Sequence, residues 1–440
     1  MGRASATTLS SLLRGRVVPA LVVIIALVAT APPAAPSSSS SGVATPRAAI
    51  QALLDARAAA YLARDHDAFM ASVASDSAGF RSRQEDFFAY SGTVPFVSYR
   101  LEANWSHYGD LTRTVDLARY RGAQDVVILL VHEKYMIRGF DQRPAIEDYV
   151  YTFVKRQDEW LIAEDSDLDS VGLRSVRHLW DFGPVVTESS AHFTVYRHPC
   201  GESAGCVDLP SDFLATTEEA LAQVDRNWRV PWRHRVLILA PTTTEELGRM
   251  IQATFELDNF VAFAYSTYET GESFDLAGYR IMLNWEQIEG RDSDSIRAIM
   301  AHELLHVATR PVTGPFVPTF VEEGLAEHVG RANDADALSF LRSEIASGTF
   351  DRKLPLDFEF ITGEGVDIFR SYQEALSAIE FLAQSWGEDD LRRFYLRLGR
   401  PRFAPGTSTY HVDRALRATI GRGYDRFQRA WASSLAENTE

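Results

Sequence analysis

Two histidines four residues apart, with a glutamate directly after the first, stand at His302-Glu303-Leu304-Leu305-His306. On a helix, imidazoles at i and i+4 share one face and can both aim a nitrogen at one ion about 2.0–2.1 Å away, the distance that zinc requires. The residues around them read as a helix from Ser293 to Pro311. Asp292 or Ser293 can cap its first N–H groups, an acid lies in its first turn, and Pro311 closes it.

Taking Ile296 as zero and about 100° per residue, Ile299, Met300, Leu304 and Val307 fall between roughly −60° and +80°, which defines a buried stripe. His302 and His306 lie beside it at roughly −120° and −80°. Glu303 falls at roughly −20°, in the middle of the apolar face. A helix that only packs would not place a carboxylate there, because burying an unpaired charge costs several kcal/mol.

A second run, Pro318-Thr-Phe-Val-Glu322-Glu323-Gly324-Leu-Ala-Glu327-His328, reads as a short helix opened by Pro318 and Thr319. Glu323 and Glu327 are i, i+4 on one face, where like charges repel, and a helical glycine costs about 1 kcal/mol relative to alanine. Both costs make sense beside a cation and a closely packed neighbouring helix.

His-Glu-x-x-His followed by Glu-Gly-Leu-Ala-Glu resembles the gluzincin metallopeptidases, specifically the peptidase MA-like group, over residues about 185–435. By position, the resemblance implies that His302, His306 and Glu323 bind zinc and that Glu303 is the general base. It implies that Glu327 accepts from a ligand histidine, an outer-shell role. The interval between His306 and Glu323 is shorter than in the aminopeptidase branch. Tyr372 occupies a place where similar proteins carry a tyrosine at the start of a helix, implying a hydroxyl for the oxyanion; an aromatic packed on the core is the alternative. His328 and His411 read as surface or packing residues.

The implied function is a zinc-dependent peptidase acting on peptide or protein substrates. The competing reading is a non-catalytic extracytoplasmic binding or scaffold protein with a structural or vestigial zinc site. Hydrolysis of a non-peptide amide or a peptidoglycan crosslink would share the chemistry.

The net charge of −16 argues against nucleic acid as a partner. Residues 1–31 carry Arg3, Arg14 and Arg16, an apolar run from Val17 to Ala29 and then small residues, so they read as a secretory signal peptide or an uncleaved membrane anchor. Either one places the rest of the chain outside the cytoplasm. Residues 32–46, rich in serine, read as a flexible linker. Cys200 and Cys206, close together in an oxidising compartment, are most simply a disulfide; a metal site with His198 is the alternative.

The remaining chain reads as α+β. Residues 47–180 read as helices, from Arg47 to about Val73 and from Gln84 to Tyr90, then strands at Val97–Trp105, Thr112–Tyr120, Asp125–Ile137 and Ile146–Arg156. A hairpin follows into Trp160-Leu-Ile-Ala163. That order resembles the nuclear-transport-factor-like cone fold, which implies either a pocket or a spacer; no cluster of titratable residues favours the pocket, and His132-Glu133 reads as ordinary strand. Acidic Asp165–Asp169 reads as the end of this domain.

Residues 185–440 read as a gluzincin-like metallopeptidase domain, a small sheet plus a helical lobe. Strands are expected at Ala191–Tyr196, Arg235–Leu239 and Tyr279–Asn284, with helices at Ser211–Arg226 and Thr244–Ala253. Further helices are expected at Asp334–Ala346, Tyr372–Trp386, Asp389–Leu398, Val412–Ile420 and Tyr424–Leu435. The resemblance implies that Tyr279–Asn284 is the sheet edge on which an extended peptide lies.

Overall fold

The computed structural model describes residues 45–106, 108–200, 208–268, 276–332, 334, 336–350, 353–401 and 404–437. The expected signal or anchor segment, and all but the last two residues of the linker, lie outside them. Among the described residues no helix is long and apolar enough to cross a membrane. The chain is mixed α+β and contains two sheets.

The N-terminal unit opens with α1 (Pro46–Ala63), α2 (His66–Met70) and α3 (Ala78–Tyr90). The single helix expected from Arg47 to Val73 is two. Arg64 turns left-handed at φ 56°, and the Asp65 carboxylate caps a new start by accepting from the Ala68 N–H at 3.0 Å. Next come β1 (Phe96–Asn104), α4 (Tyr108–Thr114), β2 (Asp125–Ile137), β3 (Ala145–Arg156) and β4 (Glu159–Glu164). The four strands form one antiparallel sheet in sequence order.

The strand expected at Thr112–Tyr120 is not one; it is the end of α4 and a 3-10 turn at Leu117–Tyr120. Leu111 on α4 packs against Ile128, Leu130 and Val150, so the segment covers the outer face of the sheet instead of extending it. Asp165 does not end the unit. It is buried and pairs with Arg83 at 2.9 Å and Arg177 at 2.7 Å, after which the chain inserts Leu179 and Trp180 into the same core.

The second sheet contains β5 (Val186–Ser189), β6 (Phe193–Arg197), β7 (Val236–Ala240), β8 (Ala262–Tyr268) and β9 (Leu276–Leu283), with α5 (Phe213–Trp228) and α6 (Thr244–Met250) in the connections. Its order is β5-β6-β7-β9-β8; β6, β7 and β9 are parallel and both outer strands antiparallel. β7 reads Val-Leu-Ile-Leu-Ala and is buried throughout, as expected for a strand covered on both faces. Val236, Ile238 and Ile281 face a core shared with α5 and the site helices, while Leu237, Leu239 and Met282 face the core of the N-terminal unit.

Tyr279–Asn284 is therefore not the edge. It falls within β9 and at its end, β9 lies between β7 and β8, and the edge on that side of the sheet is β8. The sequence Ala-Phe-Ala-Tyr-Ser-Thr-Tyr hides this strand, because its small residues blur the alternation that would reveal it.

The helical lobe contains α7 (Trp285–Ile288), α8 (Ser293–Thr309), α9 (Thr319–Gly330), α10 (Ser339–Ser347), α11 (Gly365–Trp386), α12 (Glu388–Leu398), α13 (Ser408–Ile420) and α14 (Tyr424–Glu437). α10 begins five residues later than the expected Asp334, and α11 begins seven residues earlier than the expected Tyr372.

The two halves are joined through a buried ion pair, Arg280 on β9 with Asp141 in the β2–β3 turn at 2.6 Å. A β-carbon at Gly278 would collide with that carboxylate, which explains the glycine. Removing one partner of a buried pair leaves an uncompensated charge. Asp141→Ala is expected to cost about 3–5 kcal/mol, measured as a lower urea midpoint, and Asp141→Leu combined with Arg280→Met to recover most of it.

Candidate metal centre

α8 starts where Asp292 accepts from the Ser295 N–H at 2.7 Å, and Ile296, Met300, Leu304 and Val307 are buried as the helical period predicts. Pro318, in extended backbone, precedes α9, whose first free N–H, that of Thr319, donates to the remote Asp357 carboxylate at 2.8 Å. Two glycines bring the helices together. A β-carbon at Gly324 would lie 2.5 Å from the Ala375 carbonyl of α11, and one at Gly330 would lie 2.9 Å from the Ala298 carbonyl of α8. The helical glycine that the sequence left costly is thus where α9 meets its neighbour.

This approach brings the donor atoms together. His302 Nε2 and His306 Nε2 are 3.1 Å apart, and each is 3.2 Å from Glu323 Oε2. Three tetrahedral ligands about 2.0–2.1 Å from a zinc ion stand roughly 3.3–3.4 Å apart, so the triangle fits that ion closely. Among the described residues, His302, His306 and Glu323 are the one group of three or more His, Cys, Asp or Glu able to hold a metal. Glu327 Oε1 lies 3.0 Å from His302 Nδ1 and its other oxygen accepts from Arg331, so the imidazole and the carboxylate are both oriented from behind.

The carboxylates here are pushed in opposite directions. Burial works against the charge on Glu323, yet His306 and His302 hold its carboxyl down at about 2. Burial likewise opposes the charge on Glu327, and His302 and Arg331 outweigh it, keeping that carboxyl below its ordinary value. Burial raises the Glu303 carboxyl above its ordinary value, although His302, His306 and a hydrogen bond with the Ala264 backbone pull the other way. Burial would discharge His302, but Glu323 and Glu327 raise its pKa well above 6.5; a second proton there is what a bound cation would displace. Glu322, beside Glu323 in sequence, is buried away from the histidines, and burial pushes its carboxyl up to about 8 against the pull of Arg310.

Tyr372 faces the same space, its ring centroid 6.3 Å from that of His302 and 5.2 Å from that of Phe360. It sits two turns into α11, not at a helix start. Burial and then Glu323, Glu303 and Glu327 raise its pKa well above 10, which keeps the hydroxyl protonated and able to donate.

The structure separates the other candidates from this centre. His328 pairs with Glu388 at 3.0 Å, and His411 stacks on Phe316 with ring centroids 4.1 Å apart. His198 Nδ1 lies 2.9 Å from the Pro184 carbonyl. Cys200 is disulfide-bonded; Cys206 lies outside the described residues.

A cluster that sequence reasoning missed lies in the N-terminal unit. Glu133 and Glu147 are direct partners across β2 and β3, both buried on the inward face. His178 Nε2 is 2.7 Å from Glu133, and its ring stacks on Trp180 at 4.6 Å between centroids. A cavity of about 30 Å³ between the two units, lined by Tyr135, Glu147, His178, Tyr265 and Arg280 among others, has room for about two waters. The signal was available, since in Leu129-x-Val131-x-Glu133-x-Tyr135 the glutamate falls on the apolar alternation.

No family model matches the chain, and no match was found among curated proteins.

Glu323→Ala and His306→Ala are expected to lose stoichiometric zinc, and Glu327→Ala to weaken zinc binding about 10–100-fold, read by competition against a chromogenic chelator. For His178, burial alone would lower the pKa, but Glu133 and Asp181 outweigh it and raise it above 6.5. A raised basic group stabilises the fold fully below its unfolded value, and that stability is lost as pH rises through the folded value. The urea midpoint should therefore fall as pH rises above about 6.5. His178→Gln should flatten that slope.

Proposed function

We propose that this chain is a zinc-dependent peptidase with a gluzincin-like catalytic half and a cone-like N-terminal domain, acting outside the cytoplasm on peptide or protein substrates. The observation that carries the proposal is the convergence of His302, His306 and Glu323 on one point, with Glu303 buried among them but outside the donor triangle.

When bound, zinc supplies Lewis acidity, lowering the pKa of a water toward about 7 and polarising the scissile carbonyl. Glu303 takes a proton from that water as its oxygen bonds to the carbonyl carbon. As the carbon–nitrogen bond breaks, Glu303 returns the proton to the leaving amine, so one water is consumed per bond cleaved. The Tyr372 hydroxyl donates to the oxyanion, and Glu327 holds the tautomer of His302 that leaves Nε2 free to ligate. The edge strand β8, whose Ala264 backbone contacts Glu303, is where an extended substrate adds by backbone pairing.

The deciding experiment maps cleavage of an unbiased peptide library by mass spectrometry, with and without a chelator. Chelator-sensitive cleavage supports the peptidase. Stoichiometric zinc without turnover favours the scaffold reading. Glu303→Gln is expected to keep zinc and abolish cleavage, and turnover at the wild-type rate would sink the mechanism. Tyr372→Phe is expected to lower kcat by about 10²–10³ with little change in KM.

A further inference from the structure

An edge strand has a hydrogen-bonded neighbour on one side only, so its depth and tilt are set by its side chains. Along β8 these alternate between the two halves of the molecule. Ala262 and Ala264 pack in the core that holds α8, whereas Phe263 and Tyr265 pack in the core of the N-terminal unit.

One rung of the β8–β9 ladder carries two side-chain ties to that unit. Tyr265 and Arg280 are direct cross-strand partners. The Tyr265 hydroxyl donates to Glu147 of β3 at 2.7 Å, and Arg280 pairs with Asp141 at 2.6 Å and hydrogen-bonds Tyr135 of β2. A backbone bond from the Gln142 N–H to the Ala277 carbonyl at 2.8 Å adds a third tie near the start of β9. The adjacent rung, Ala264 opposite Ile281, holds the residue whose backbone contacts Glu303.

The N-terminal sheet also bears the mark of this task. Placing Glu147 directly opposite Glu133 on a buried face is costly, because like charges across a ladder repel and a buried carboxylate needs a partner. Glu133 is bonded to His178 within its own unit, whereas Glu147 is bonded to a strand of the other half.

We propose that Glu147 and Tyr265 are positioning residues for the hydrolytic site, and that the N-terminal unit acts through them to hold β8 at the depth where Ala264 meets Glu303 and an extended substrate can pair with the strand. What the strand does rests on the peptidase reading; what holds it rests on the contacts alone.

The test uses the full-length protein and compares Tyr265→Phe, Glu147→Leu and Glu147→Gln. Tyr265→Phe removes one oxygen and preserves packing, so it remains decisive if Glu147→Leu fails to fold. Tyr265→Phe and Glu147→Leu are expected to raise KM for a library-derived peptide about tenfold, with kcat within about threefold of wild type and zinc content unchanged. Adding Tyr265→Phe to Glu147→Leu should raise KM no further than Glu147→Leu alone, since that variant already breaks the contact they share. Glu147→Gln keeps an acceptor oxygen and should stay within about twofold of wild type. Amide exchange over residues 262–267 should quicken in Tyr265→Phe and stay unchanged over β6 and β7.

Lower thermal stability with unchanged KM and unchanged exchange in β8 would overturn the proposal, leaving the contact adhesive only. If the wild-type protein cleaves nothing, the peptidase reading falls and the exchange comparison alone decides the positioning: selective loosening of β8 supports it, and equal exchange overturns it.

Discussion

Three electron-rich atoms are held 3.1–3.2 Å apart inside a shell of packed helices, and this constraint organises the C-terminal half of the molecule. Unprotonated, such a triangle is unstable by itself, because two imidazole lone pairs and a carboxylate oxygen repel in a medium that screens poorly. It persists only with a cation or protons among the three atoms, and with a scaffold stiff enough to resist their separation. α8 supplies two donors one turn apart. α9 supplies the third only because Gly324 and Gly330 let it come within backbone contact of α11 and α8.

The same enclosure sorts the acids by partner. Glu323 and Glu303 are both buried, but Glu323 lies on both histidines and is held down at about 2, whereas Glu303 feels them less and is raised by burial. One carboxylate held ionised and another pushed toward neutrality is the difference that the proposed roles of ligand and proton carrier require. Glu322 shows that adjacency in sequence does not confer such a role; one residue around the helix it is buried without the histidines and pushed up to about 8.

A sheet apolar on both faces needs two covers, and this need brings the N-terminal unit into the account of the site. α5 and the site helices cover one face, and β2, β3 and the segment ending in Leu179-Trp180 cover the other. The Arg280–Asp141 pair adds direction to that contact, since a buried charge accepts far fewer alternative registers than apolar packing does. The residues that lock the halves sit one rung from the strand residue touching Glu303.

Much of the site was legible in local pattern. The period of 3.6 placed His302 and His306 together beside the stripe and Glu303 within it, and the costs at Glu323, Glu327 and Gly324 pointed to a cation and a close neighbour. β2 was legible to the residue, because its alternation and its polar flanks are local. The edge strand was not, since Ala262–Tyr268 has little alternation and its place beside β9 depends on a pairing between distant segments. Likewise, Asp165 looked like a solvated boundary until Arg83 and Arg177, remote or nearby in the chain, closed on it.

The chain by itself determined which residues share a helix face and which charges would be costly there, because those depend on spacing a few residues long. Only the tertiary structure decided how close Glu323 comes to the histidines, that β8 and not β9 is the edge on that side of the second sheet, and that Glu147 reaches Tyr265. Each of these follows from where separate elements pack, and interatomic distance across elements is not a function of sequence separation.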